Sequence, residues 1–369
     1  MVRNSASGFL SEHAGPAVLR KIRDTNNQFG FVDETWQAMV QLGWPSILIP
    51  EKFGGVELSH VAMGQIMELC GAHLACSPLF SSAVAGASVI LIGGSEQQKE
   101  VLLPQVASGH LTLALAIDEA SRHDPTNIRA EVTRRDTSFI LNGNKCFVAD
   151  GGFANQLIVS AITSYTEENG TRLSLFLVPR EMEGVTVVST PMVDSRNSAM
   201  VSFDNVLLPS ESLIGGLNQG LITLQPALNI TNIHLSAELL GIANEAFQRT
   251  LQYLKSRKQF GSNIGSFQAL QHRAAKLWTE IELCKSVVMK ALRTLDETPA
   301  DIGGIASVAK AKTCQVAELA TNEAIQMHGG IGMTDEFDIG LFIKRARVVQ
   351  ILYGDRRYHL DKCAQLRGY

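Results

Sequence analysis

The chain has 369 residues, 45% of them hydrophobic and 18% charged, which supplies core for two or three units and excludes a disordered polymer. A formal net charge of −4 gives no basic surface for nucleic acid or acidic lipid. Six cysteines without a CxxC pair argue against a zinc site or a disulfide framework and for free thiols in a reducing cytoplasm. No signal-like N-terminus and no apolar run of membrane-spanning length stands in the sequence.

Up to about residue 110 the apolar period is helical. "DETWQAMVQLGW" places Trp36, Met39, Val40 and Gly43 on one face with Asp33 as N-cap, and "SHVAMGQIMELCGAHLA" repeats the pattern after Ser59. From 111 to about 213 the period is two. "LTLALAI", "QLIVSAI", "LSLFLVP" and "VTVVST" have strand length, and "SFILNGNKCFVAD" reads as two strands joined by a tight turn at Asn142-Gly143. Six or so short strands in about 100 residues predict a small β-barrel or sandwich. From 214 to 369 helical periodicity returns in four long segments joined by short loops. The first carries a stripe of Leu239, Leu240, Ala243, Phe247, Leu251 and Leu254, and the pattern predicts an antiparallel four-helix bundle. The expected fold is mainly α with a central β domain, divided 1–110, 111–213 and 214–369.

Two C-terminal stretches carry candidate chemistry. In "RKQFGSNIGSFQALQH", Arg257 can grip a phosphate with two donors, Phe260 offers a flat face and Gln268 an amide. The same spacing fits a helix corner with a solvated arginine and a core phenylalanine. In "QMHGGIGMTDE", Gly329 and Gly330 permit close backbone approach or simply end a helix. This stretch follows no strand, so the dinucleotide fingerprint of the doubly wound fold does not apply.

Together with "LGWPSILIPEKFGG", "LNGNKCFVADGGFAN" and "KRAR", these stretches resemble the acyl-CoA dehydrogenase family along nearly the whole chain, in the family's order. The resemblance implies FAD-dependent α,β-dehydrogenation of an acyl-CoA thioester, in fatty acid or steroid catabolism. A carboxylate would take the α proton while hydride passes to the flavin. It further implies that Arg257, Phe260 and Gln268 hold the FAD pyrophosphate and adenosine, that Gln326, Gly329 and Gly330 reach the cofactor from a neighbouring subunit, and that Phe147 covers the ring. A site shared in this way requires an oligomer.

The sequence departs from the family pattern around the base. Aligned on Gly354, the base glutamate falls at Tyr353, a phenol with an ordinary pKa of ~10. The alternative glutamate position on the first bundle helix falls at Thr231, with Asn232 in place of its arginine neighbour. Asp355, two residues beyond Tyr353, is the candidate catalytic base, set against a structural role at a helix start; Glu238 reads as structural. The stretch along flavin and substrate becomes "IDEASRHDP", keeping Glu119. Phe147-Val148-Ala149 replaces Trp-Ile-Thr. Asp355 and Arg357 take the places of a threonine and a glutamine. His123, His234, His328 and His359 form no sequence cluster and read as structural. Losses at flavin and base with motifs kept elsewhere resemble the small subunit of heteromeric bacterial acyl-CoA dehydrogenases, paired with a homologous catalytic chain. The alternatives are a self-sufficient homo-oligomeric dehydrogenase using Asp355, and a same-fold flavoprotein acting on another substrate.

Overall fold

Helical, strand and helical periodicities succeed one another in the computed structural model as they do in the sequence, over the residues it describes: 2–166, 170–298 and 302–369. The helices are α1 (Val2–His13), α2 (Pro16–Asp24), α3 (Asp33–Gln41), α4 (His60–Ala72), α5 (Ala87–Gly93) and α6 (Glu96–Ala107) before the sheet. After it come α7 (Gly220–Ser256), α8 (Gln268–Glu297), α9 (Ile302–His328), α10 (Ile339–Ile351) and α11 (Arg356–Leu366). Between them run β1 (Leu113–Ala116), β2 (Glu131–Arg135), β3 (Ser138–Ala149), β4 (Gln156–Thr166), β5 (Gly170–Pro179), β6 (Val185–Pro191), β7 (Asn197–Pro209) and β8 (Leu213–Ile214). A hairpin of β9 (Lys258–Gln259) and β10 (Ser262–Asn263) separates α7 from α8. Among the described residues no helix is long and apolar enough to cross a membrane.

The chain packs as two units. The first comprises residues 1–21, 60–76 and 232–369; the second comprises 22–59 and 77–231. In the first, α9 packs against α8, α10 and α11, and α4 against α1 and α8. The α7 stripe is buried at Leu239, Leu240, Ala243, Phe247 and Leu254. Where α4 meets α7 the backbones approach so closely that a Cβ on Gly71 would stand 2.1 Å from the Glu238 carbonyl oxygen. One on Gly241 would stand 1.8 Å from that of Glu68. Two glycines facing opposite helices remove the side chains that would hold the axes apart. The N-terminus of α4 is closed by Asp296 of α8, whose carboxylate accepts from the His60 and Val61 amides at 2.7 and 3.1 Å.

In the second unit the eight strands form one sheet in the order β6-β7-β3-β2-β4-β5-β8, with β1 parallel on β4. Strand β1 is buried at every residue, consistent with its unbroken apolar run. Two local expectations are corrected. Asn142-Gly143 is no turn: β3 runs straight through it, and the β2–β3 turn lies at Asp136-Thr137. Asn142 instead accepts the Asn205 amide at 2.7 Å, and Gly143 sits at a β-bulge where a Cβ would meet the Ala130 Cα at 2.6 Å. The glycine serves close approach rather than reversal. Asp33 is the first residue inside α3, not its cap; the cap position belongs to Val32, without a side-chain bond.

Gly241→Ala should lower stability by about 3 kcal/mol, the upper part of the usual cost of overpacking, because the obstructing atom is backbone. Urea denaturation beside Gly304→Ala, where a Cβ meets nothing within 4 Å, measures the difference.

Candidate functional site

Helix α7 ends at Ser256, and the chain turns over the β9–β10 hairpin before entering α8. The hairpin tip is Phe260-Gly261, both with positive φ (53° and 81°), as a two-residue primed turn requires. Phe260 is 91% exposed, so the alternative of a core phenylalanine is excluded. Arg257 and Gln268, the latter opening α8, are exposed as well. Gln326 stands exposed in the last turn of α9. Gly329 (φ 66°) and Gly330 follow with nothing within 4 Å of where a Cβ would be. The two motifs are tied by an aromatic cluster. Tyr253, one helical turn before Arg257, stacks on His328 at 4.4 Å, and Phe337 closes on both rings.

The donor set formed by Arg257, Gln268 and Gln326 makes no side-chain hydrogen bond or ion pair among the described residues. A guanidinium and two amides left open to solvent beside bare glycine backbone suit an anionic, planar ligand. In the second unit, a bulge between Lys145 and Val148 of β3 leaves Phe147 half-buried with φ 52°.

The base region is closed. In the first unit Asn232, at the position of the family's arginine neighbour, donates its side-chain amide to the Tyr353 carbonyl at 3.2 Å. Tyr353 is 1% exposed at φ 53°. Gly354 follows at φ 107°, where a Cβ would stand 2.4 Å from the Tyr358 ring. Thr231 is fully buried, its hydroxyl donating back to the Ala227 carbonyl at 2.7 Å. Asp355 is exposed and caps α11, accepting the Tyr358 amide at 2.8 Å. Glu238 lies buried against Arg345 of α10 at 2.7 Å, a structural ion pair.

Beneath this loop lies a residue the sequence reading passed over. Lys310 of α9 is fully buried, and its ammonium donates to the Leu352 carbonyl at 2.6 Å, to Asn232 Oδ1 at 3.2 Å and to the Gly354 carbonyl at 3.3 Å. Burial pushes its pKa down to about 8, against the opposing pull of Cys314, Asp355 and Glu238. A lysine on a helical apolar face was the available signal. A second missed group lies in the "IDEASRHDP" stretch, where Asp118 holds His123 Nδ1 at 2.7 Å, both side chains nearly buried. Beside it Glu119 pairs with buried Lys145 at 2.6 Å, and Lys145 also donates to Ser160 at 3.0 Å. Desolvation lowers the Lys145 pKa and Glu119 partly restores it. His234 faces His60 at 3.1 Å, and burial pulls both rings below the ordinary histidine pKa.

Three family models match the chain: acyl-CoA dehydrogenase N-terminal domain over residues 1–110, middle domain over 114–206 and C-terminal domain over 218–366. The chain is 29% identical to the probable acyl-CoA dehydrogenase YngJ of Bacillus subtilis over 357 residues, covering 95% of this chain and 93% of that one. An acyl-CoA dehydrogenase structure from Geobacillus kaustophilus superposes with a TM-score of 0.90 at 26% identity, covering 100% and 97% of the two chains. The Tcur3481-Tcur3483 steroid ACAD superposes with a TM-score of 0.89 at 26% identity, covering 99% and 96%.

Lys310→Met leaves the Leu352 and Gly354 carbonyls without their donor and should lower stability by about 1–3 kcal/mol at neutral pH. It should also change the pH dependence. Between the folded pKa of about 8 and the ordinary 10.5, the unfolded chain binds more protons at Lys310 than the folded chain does. This lysine therefore makes stability rise with pH through that window, and the variant's denaturation curves should show a flatter rise.

Proposed function

This chain belongs to the acyl-CoA dehydrogenase family, and we propose that it is the base-deficient, cofactor-completing subunit of a heteromeric member of that family. In this reading it acts with a homologous catalytic chain in the α,β-dehydrogenation of an acyl-CoA thioester. The observation that carries the reading is the closed loop at Tyr353. Tyr353 stands at one base position as a buried phenol whose carbonyl accepts the Asn232 amide, and Thr231 at the other is buried with its hydroxyl turned back to the Ala227 carbonyl; neither position carries a carboxylate. The similarity to the Tcur3481-Tcur3483 steroid ACAD, a heteromeric complex, supports the pairing.

FAD, when bound, supplies the hydride acceptor. The residues that would hold it are the exposed set. Arg257 offers a planar two-donor edge to a pyrophosphate, and Gln268 and Gln326 offer amides to phosphate, ribose or base. Phe260 lays a ring against a flat surface, and Gly329 and Gly330 let backbone approach. Phe147 would cover the ring system from the sheet. Their open donors fit a ligand shared with another chain. No proton-abstracting step is assigned to this chain. A base must come within about 3 Å of the proton it takes, and misplacement by 1 Å can cost roughly a hundredfold. The Asp355 carboxylate is engaged in capping α11.

Purified alone, the chain should leave the visible flavin band unbleached by any of a panel of acyl-CoAs; together with its homologous partner it should turn over. Arg257→Gln should reduce the flavin content of the pair several-fold. Bleaching by the isolated chain would reject the reading. Asp355→Asn separates the alternative. Asparagine caps a helix about as well as aspartate, so stability should hold, and turnover of the assembled pair should also hold. A turnover loss of about a hundredfold or more at unchanged stability would restore Asp355 as the base.

A further inference from the structure

The loop from Gly329 to Phe337 is exposed over most of its length, yet it is tied at both ends. At its start the His328 ring stacks on Tyr253, with Nδ1 at 2.6 Å from the Ala324 carbonyl oxygen. Within the loop Gly332 packs back on α9, where a Cβ would stand 2.9 Å from the Ile325 carbonyl oxygen. The Thr334 hydroxyl donates to the Ile331 carbonyl at 2.8 Å. At the far end stands Asp338.

Asp338 holds the N-cap position of α10, where an aspartate ordinarily accepts an amide of its own first turn. Its side chain makes no such bond. Instead Oδ1 accepts from Arg20 Nη1 of α2 at 2.5 Å, and Oδ2 accepts from Arg249 Nη1 of α7 at 2.7 Å. Arg20 Nη2 also donates to the Asp335 carbonyl at 2.7 Å. Arg249 is held from its other edge by Glu245, at 2.8 Å from Nε, and lies over the Phe342 ring at 5.2 Å. Two guanidiniums from helices remote in sequence converge on one carboxylate, and all three side chains are partly buried. Without that carboxylate the two cations would repel each other across the gap.

We propose that Asp338 is a positioning residue for cofactor binding: clasped by Arg20 and Arg249, it fixes the far end of this loop, so that the bare backbone at Gly329 and Gly330 is in place before the ligand arrives. This role rests on the assignment of those glycines to FAD and extends it to three side chains outside the donor set. A glycine pair has wide backbone freedom, and confining it at the moment of binding costs affinity. A loop tied beforehand at both ends avoids that cost. A carboxylate that served only its own helix would turn to the amides of that helix; this one is turned to the arginines.

Two measurements test it: hydrogen exchange of the ligand-free full chain, and titration of FAD into the flavin-stripped pair followed by flavin fluorescence. Asp338→Asn keeps the shape and capping ability of the residue and removes its charge. It should speed exchange of the Thr334 and Phe337 amides, both bonded within the loop, at least about tenfold while α7 and α9 stay unchanged. It should weaken FAD binding about fivefold. Asp338→Glu, which restores the charge, should recover most of that affinity. Glu245→Gln removes an ion pair from the same arginine but none from the loop, and should leave both measurements at wild-type values. Gly330→Leu tests the cofactor assignment by itself, since a Cβ there meets nothing within 4 Å in this chain. Weakened FAD in Gly330→Leu beside wild-type affinity in Asp338→Asn would overturn the clasp and leave the assignment standing. Wild-type affinity in both would remove the glycines from the flavin, and the proposal with them. Unchanged exchange in Asp338→Asn would also overturn it, as would equal losses in Glu245→Gln, the mark of a general loss of stability. If Asp338→Asn fails to fold, Arg20→Gln, which leaves the Arg249 pair in place, carries the comparison.

Discussion

A positive charge sits in the interior of the first unit with no carboxylate at ion-pair distance among the described residues. The Lys310 ammonium is instead surrounded by oxygen dipoles, those of the Leu352 and Gly354 carbonyls and of Asn232. Taking such a charge out of water costs several kcal/mol, and only well-placed acceptors offset it. Two carbonyls separated by one residue can converge on a single donor only if the chain between them curls, and the left-handed backbone at Tyr353 and Gly354 provides the curl. The loop where the family keeps its base is therefore bonded to Lys310 here. The Tyr353 ring and His359 pack as core.

The residues assigned to the cofactor have the opposite character. Arg257, Gln268, Gln326 and the Gly329-Gly330 backbone are open, and Phe260 projects an aromatic ring into solvent at a backbone angle that few side chains adopt willingly. Exposed donors lose little by lacking a protein partner, so a folded chain can carry them without strain until a ligand or another subunit covers them. A large ring held outward at a strained angle is harder to explain by this chain's own stability. Closed chemistry at one place and open recognition at another is the arrangement expected of a chain that completes a site rather than running it.

Much of the architecture was legible because it follows from local periodicity. The α7 stripe, the long C-terminal helices and the run of short strands all appear as read. The errors came where one residue type serves two purposes. Asn142-Gly143 has the composition of a turn, yet it makes a bulge because strand β7 and Ala130 crowd that point. The four histidines looked equivalent in sequence. In space His123 meets Asp118, His234 meets His60, and His328 joins the stack that links the two C-terminal motifs.

The sequence alone determined the family, the order of the elements and the absence of a carboxylate at positions 231, 232 and 353, because these depend on which residues occupy which register. Only the tertiary structure decided that the Tyr353 loop meets Asn232, that Lys310 bonds that loop from within, and that two arginines far apart in the chain meet on Asp338. Those facts depend on contacts between residues up to 318 positions apart. No local preference encodes such contacts; close packing and the need to satisfy buried polar groups select them once the chain has folded.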